Sequence, residues 1–376
     1  MGLVLKVRGH GANKLKLAWG DDHWDPPTYS VSRKLVAGAA ERVRSVLNDI
    51  SDEYIRNTDA DYTPFLADLV EAGVDLSSEL FDAIDGDRQT ASDAKAFIAG
   101  ATGRRPLTIH SDASIHIPWG FVFHADPDSM PPPTRTIADF SGFWLDRFSI
   151  STHFNPCNRM PNEARPRANF RILLALHKSL HEKAQKHLPV ENRERFHKIQ
   201  SYEVGAVAEW ELCRRKWREI SKQDSILYVY GHSDGTTIEL DPEVDRKPKM
   251  EAIRFHNFFR KADATSASIF FLNGCVTGSG NDHNGFLRVT SMPGFYGFIG
   301  TEARVPNTFA SEYGTDFMHH LCEMGQSVYQ TYEELRTRHF PLSLLYSCFA
   351  HPEFRVEPVS ETYCTALHSS RAVHVD

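Results

Sequence analysis

The chain predicts an α/β fold built on a mostly parallel sheet flanked by helices, and three observations lead there. Two apolar runs, Ile226-Leu227-Tyr228-Val229-Tyr230 and Ser268-Ile269-Phe270-Phe271-Leu272, are largely β-branched or aromatic and are soon followed by glycine, as strands buried on both faces of a parallel sheet are. Between them Met250–Lys261 carries Ala252, Ile253, Phe255, Phe258 and Phe259, a helix-like stretch suited to the crossover that parallel neighbours need. At 376 residues the chain can bury about three-quarters of its unfolded surface, enough for one large α/β unit or two smaller ones.

Taken in order, Leu3–Arg8 alternates like a strand and Gly20–Pro27 reads as a turn. Ser32–Ile55 follows as an amphipathic helix with Leu35, Val36, Val43, Val46, Leu47 and Ile50 on one face. Tyr62–Leu80 reads as helical with a break at Gly73, and Ala91–Ala99 as a short helix. Leu107–His110 and Ile115–Phe123 predict a strand pair around Ser111-Asp112-Ala113. The proline-rich Asp126–Arg135 is a loop, Phe140–Ile150 resumes order, and Asn155–Arg167 is a second loop. The boundary between an N-terminal half (1–165) and a C-terminal half (166–376) is expected there. Phe170–Leu176 is a strand, His187–Gln200 a polar linker or helix, and Val204–Ile220 a helix leading into the first apolar run. Past Cys275 come a glycine-rich turn (Gly278–Gly285), a short strand (Phe295–Ile299) and the turn Gly300–Asn307. Two helices follow, Thr308–Gly325, capped by Asn307, and Gln326–Thr337. The tail from Ser360 has no periodicity, and no helical repeat of fixed length recurs.

Charge and composition exclude several classes. A net charge of −7 lacks the basic excess of a nucleic-acid surface, so no direct nucleic-acid binding is expected, and Arg214-Arg215-Lys216 reads as a solvated helix face. The six cysteines are dispersed and the N-terminus lacks a secretory apolar core, which predicts a reducing cytoplasmic setting. No apolar run approaches the roughly 18 residues of a membrane helix. The chain reads as complete and untargeted, with no membrane partner.

Both apolar runs stop at a chemically active residue, the first at Gly231-His232-Ser233-Asp234-Gly235 and the second at Asn273-Gly274-Cys275. If the strands are parallel, His232 and Cys275 emerge at the same carboxyl edge, where open α/β sheets place their ligands. A cysteine nucleophile needs a nearby imidazole to make the thiolate and donors for the oxyanion that forms. His232 answers as base and imidazolium, Cys275 as nucleophile, and the backbone N–H groups of Ser233 and Cys275 as oxyanion donors.

With Tyr230-Gly231-His232 at one strand end, and Asn273-Gly274-Cys275 with Thr277-Gly278 at the next, the chain resembles the clan CD cysteine peptidases, the group of caspases, metacaspases, separases and gingipains. Three further segments resemble one branch, the CHAT-domain peptidases: Ile115-His116-Ile117-Pro118-Trp119-Gly120, Ile299–Asn307 and Phe317–Leu321. The resemblance spans Ser32 to Val356. It implies a caspase-like sheet in the C-terminal half and a degenerate, inactive caspase-like half before it. It also implies an endopeptidase that needs no metal or cofactor, acts on protein substrates and is held inactive until a separately encoded partner reorders its loops. A prokaryotic antiviral defence or regulated-proteolysis role follows by analogy.

The departures bear on specificity: Gly120 stands for the family Glu, Ala303 for its Trp and Asn307 for its Asp. Metacaspases carry an acidic residue two positions before the cysteine, where this chain has neutral Asn273. Glu302 either substitutes for that acid in the S1 pocket or pairs with Arg304, so Asn273, Glu302, Arg304, Asn307 and Asp234 are the substrate-binding candidates. Asp234 orients loops or accepts turn hydrogen bonds, the latter preferred. Two other readings stand beside the peptidase: an idle caspase-like scaffold or sensor, and a zinc hydrolase using His177, His181 and the nearby His187. The last lacks a His-Glu-x-x-His, and solvated helix histidines explain it better. Neither a Gly-x-Ser-x-Gly elbow nor a P-loop occurs.

Overall fold

The computed structural model describes residues 3–20, 28–82, 88–100, 105–111, 116–124, 142–153, 170–199, 206–259, 266–279, 285–291 and 294–356. In the N-terminal half, β1 (Leu3–His10) turns through Gly11 at φ +67° into the antiparallel β2 (Lys14–Gly20). β3 (Thr28–Ser32) pairs with β2 and leads into α1 (Arg33–Arg56). Ser32 caps that helix by accepting from the Leu35 N–H, and Val36, Val43, Leu47 and Ile50 are buried at helical spacing. α2 (Thr63–Phe81) and α3 (Arg88–Ala99) follow. β4 (Arg105–Ser111) lies parallel to β1, and α4 (Trp144–Arg147) precedes β5 (Phe148–His153), parallel to β4. The strand order of this five-stranded sheet is β3-β2-β1-β4-β5.

In the C-terminal half, β6 (Arg171–Leu176) is followed by α5 (Lys178–His187), α6 (Val190–Ile199) and α7 (Trp210–Ile220). β7 (Ser225–Tyr230) comes next, then a small antiparallel sheet of β8 (His232–Ser233), β9 (Thr237–Glu239) and β10 (Lys249–Glu251), which α8 (Ala252–Phe258) follows. β11 (Ser268–Asn273), β12 (Phe295–Thr301), α9 (Asn307–Cys322), α10 (Val328–Arg338) and the antiparallel edge strand β13 (Tyr346–Cys348) complete it. The sheet order is β13-β12-β11-β7-β6, with β6, β7, β11 and β12 parallel. Both apolar runs are therefore central parallel strands, and every residue of β7 and β11 is buried. Their side chains alternate between two cores: Ile226, Tyr228, Ile269 and Phe271 face one, while Leu227, Val229, Phe270 and Leu272 pack with Trp210, Trp217 and Phe255 in the other. The first core also contains Leu5, Leu17, Val43 and Leu107, so the two halves share it.

Several expectations need correction. Helix α2 runs unbroken through Gly73, because that glycine is a contact point: a Cβ there would lie 2.6 Å from the Phe121 carbonyl oxygen. The described part of Ile115–Phe123 is not a ladder strand. Trp119–Phe121 is a single 3-10 turn, Phe123 bridges Phe143, and β4 already has a partner on each side. Pro118 offers no ladder N–H. The helix expected from Val204 begins at Trp210, since Val207 is held against β6 by hydrogen bonds with Leu174 and Leu176. Asn307 does not cap α9; Pro306 holds the cap position and Asn307 is the first helical residue. The β8-β9-β10 sheet was not expected, as strands this short leave no periodic signal.

The boundary at 165/166, the prolines of 126–135, the loop 155–167, positions 112–115 and 280–284, and the tail from Ser360 lie outside the described residues. All strands of the first sheet come from residues 3–153 and all of the second from 171–348. Among the described residues no helix is long and apolar enough to cross a membrane, and Cys213, Cys275, Cys322 and Cys348 are free thiols.

Candidate active site

β7 and β11 pair in parallel with Tyr230 opposite Asn273, so His232 and Cys275 each lie two residues past a matched position on adjacent strands. Such strands are about 4.8 Å apart, and the two turns leave the sheet side by side at its carboxyl edge. Glycine makes the close approach possible: a Cβ on Gly274 would lie 2.7 Å from the Gly231 carbonyl oxygen, and one on Gly231 would lie 2.3 Å from that of Glu239.

The turn after β11 is held from two sides. The Thr277 hydroxyl donates to the Leu272 carbonyl at 2.7 Å and the Thr301 hydroxyl to the Gly274 carbonyl at 2.6 Å. The Val276 and Gly278 N–H groups donate to Ala303 and Thr301 carbonyls of the strand-to-helix segment that follows β12. Held in this way, Val276 sits at φ +61°, a left-handed conformation that a β-branched residue avoids and that clusters at functional sites. The Cys275 sulfur accepts from the Val305 N–H at 3.5 Å. Burial pushes its thiol up, against the opposing pull of the Val305 N–H, the Arg304 guanidinium and Cys275's own N–H. Among the described residues no carbonyl engages that Cys275 N–H.

On the histidine side, the Asp234 N–H donates to the Thr237 carbonyl, which makes Ser233 and Ile238 the next, non-hydrogen-bonded pair of the β8-β9 ladder. The Ser233 N–H consequently points away from β9. Both backbone groups expected as oxyanion donors are thus uncommitted to the sheet. Asp234 is a turn residue: burial pushes its carboxyl up, but hydrogen bonds from the backbone and hydroxyls of Thr236 and Thr237 outweigh it and hold it down to about 2. His232 itself is exposed, and the ring of His177 lies at right angles to its own, 5.2 Å between centroids.

The remaining substrate-binding candidates are each engaged by neighbouring side chains. Asn273 is buried with every polar atom engaged: its amide donates to the Tyr228 hydroxyl (2.9 Å) and the Ala310 carbonyl (2.7 Å), and its oxygen accepts from the Tyr346 hydroxyl (2.7 Å). Glu302 is fully buried between the halves, accepting from Arg44 Nε (3.2 Å) and the Ser347 hydroxyl (2.7 Å) and meeting His116 Nε2 at 2.8 Å. Burial would raise its carboxyl, but His116, Arg44 and Ser347 hold it down to about 2. Both side chains thus have their polar atoms engaged inside the core. Glu302 does not pair with Arg304, which reaches Asp52 at 2.7 Å and Asn48 instead. The Asn307 amide oxygen accepts from the Tyr230 hydroxyl, tying the start of α9 to the end of β7.

His177 and His181 are not solvated helix histidines. His177 precedes α5 at its N-cap, is buried, and donates its N–H to the Tyr230 carbonyl at 2.8 Å; His181 packs on Phe196 and is depressed to about 4 by burial. Among the described residues no group of three or more His, Cys, Asp or Glu side chains is placed to hold a metal ion. Two participants escaped the sequence reading. The Val305 donor is a backbone group with no residue signature, and His177 is distant in sequence from His232. A cleft of about 680 Å³, open mouth included, lies between Trp119, Phe121 and Phe148 of one half and Tyr329, Tyr332 and Phe349 of the other, with Glu302 and Ser347 in its lining.

No family model and no curated protein matches the sequence. Among solved structures, the chain is similar to a chain of the Saccharomyces cerevisiae separase–securin complex at 12% identity and a TM-score of 0.38, covering 87% of this chain and 23% of that one. It is similar to a chain of a second structure of that complex at 9% identity and a TM-score of 0.46, covering 95% and 30%. A structure described as a protease matches at 10% identity and a TM-score of 0.36, covering 70% and 69%. The chain thus spans under a third of the length of the matched chains from the separase–securin complex.

Proposed function

We propose that the protein is a cysteine endopeptidase acting on protein substrates, with Cys275 as nucleophile and His232 as general base. The observation that carries this is the matched exit of His232 and Cys275 from two adjacent parallel strands, beside a valine forced to φ +61°. His232 takes the Cys275 proton, and the thiolate adds to the scissile carbonyl. The tetrahedral oxyanion is met by the Ser233 and Cys275 N–H groups, and the amine leaves with the proton held by His232. Water, deprotonated by the same imidazole, then hydrolyses the thioester. Asp234 shapes the turn that carries Ser233. Arg304 and Asn307 stand on the segment facing the nucleophile and are the remaining candidates for contact with substrate.

Burial pushes the Cys275 thiol up in this arrangement, and the activation we propose is by a separately encoded protein that reorders the two turns. The same observation suits a second reading, an idle scaffold that keeps the architecture for binding. Alkylation with iodoacetamide separates them. The peptidase requires that Cys275 label faster than the other cysteines once the chain is active and that His232→Ala slow it; uniformly slow labelling favours the scaffold. Cys275→Ala should lower peptide cleavage by about 10⁴-fold or more, and cleavage near the parent level would remove the peptidase assignment.

A further inference from the structure

The buried residues nearest the exposed His232 form a short polar chain that nothing above uses. His177 stands at the end of β6, as the N-cap of α5, and places its ring against that of His232 at 88°. Its Nδ1 lies 3.3 Å from the Ser179 hydroxyl and 3.7 Å from an Asp241 carboxylate oxygen, the latter an electrostatic rather than a hydrogen-bonded distance. Asp241 is 2% exposed and fixed by the Ser179 and Glu243 N–H groups at 2.9 and 3.0 Å. Against burial, these two N–H groups hold the Asp241 carboxyl in its charged form, with the His177 and Lys178 charges adding to them, so a fixed negative charge stands behind His177. Burial keeps His177 itself below its ordinary range, opposed by Asp241 and Glu239.

We propose that His177, backed by Asp241 and Ser179, is a positioning residue for His232: its ring fixes the orientation of the His232 imidazole, and the Asp241 charge behind it favours the imidazolium. The S–H bond of Cys275 breaks and an N–H bond on His232 forms, so the positive charge appears where Asp241 can stabilise it. The other charged groups around the pair are Glu239, opposite His232 on β9 and 3.8 Å from Lys249, and Lys178, beside Asp241.

This inference rests on His232 serving Cys275, and the experiment keeps the two apart. In full-length Cys275→Ala protein, titration of the His232 ring by NMR is compared with the same chain carrying Asp241→Asn or, separately, His177→Phe, which keeps the ring but loses its nitrogens. The Asp241→Asn change should lower the His232 midpoint by about one unit, seen in the Cys275-containing chain as about tenfold slower alkylation near neutral pH, where the thiolate exists only as the partner of the imidazolium. His177→Phe should shift the midpoint as well. Unfolding temperatures that fall while both His232 titrations overlay the parent would make the chain of residues merely structural and overturn the proposal. A shifted titration with no effect of His232→Ala on alkylation would leave the positioning intact and sink the peptidase reading instead.

Discussion

The two five-stranded sheets use the same parts and finish them differently. In the N-terminal sheet, β1 buries Leu3, Leu5 and Val7 on one face, while on the other Val4 is buried, Lys6 partly exposed and Arg8 exposed, and β4 likewise alternates buried with half-exposed positions from Leu107 on. In the C-terminal sheet, β7 and β11 are buried on both faces, between α9 on one side and α7 and α8 on the other. A sheet covered on both faces leaves only its strand ends accessible, so whatever chemistry it carries must stand at the edge. That is where His232 and Cys275 emerge. The N-terminal sheet ends in a different pair, His110 and His153, matched across the parallel strands β4 and β5 with ring centroids 5.1 Å apart and the Ser151 hydroxyl 2.9 Å from His153. What it contributes is the joint: Arg44 from α1 and His116 close on Glu302, while the residues flanking Glu302 hold the Cys275 turn.

Breaking that joint should have the largest effect. Glu302→Ala removes the carboxylate on which Arg44, His116 and Ser347 converge, although Arg44 keeps Glu41 and the His116 carbonyl, at a cost of about 3 kcal/mol in denaturant unfolding; a loss below about 1 kcal/mol would show that the halves are held by their shared core alone. The same group sets an acid limit. Because its folded value is depressed, Glu302 contributes fully above its ordinary value of 4.5, and the contribution is lost as pH falls toward about 2. Parent stability should therefore fall across that window more steeply than that of Glu302→Gln.

Within the C-terminal sheet, Asn273→Leu strands the Tyr228 and Tyr346 hydroxyls and the Ala310 carbonyl, an expected loss of about 2–3 kcal/mol. Asn273→Asp should be at least as damaging at neutral pH and partly recover on acidification, since only the protonated acid can donate to Ala310. Thr277→Val, which removes the hydroxyl pinning the Cys275 turn, should cost about 1–2 kcal/mol and loosen hydrogen exchange at 274–278. At the small end, Arg8→Ala on the open face of β1 should stay within about 0.5 kcal/mol of the parent. A large loss there would mean that this face, too, is covered.

The strands at 226–230 and 268–272, the crossover between them and the shared edge for His232 and Cys275 were legible in the sequence, because a strand buried on both faces must be apolar throughout and parallel pairing sends both ends the same way. Asp234 was legible as a turn residue for a local reason: an aspartate two residues before a backbone N–H will take it. The buried partners of Asn273 and Glu302 were not legible, as a polar residue beside a nucleophile looks the same whether it faces substrate or the core. Their roles depend on Tyr228, Tyr346, Arg44 and His116, partners distant in sequence whose approach only the packing of α9 and of the N-terminal half decides. The same holds for His177. Periodicity and strand chemistry are local and were written in the chain, whereas which polar groups end up buried together is settled by how the helices and the two sheets close on one another.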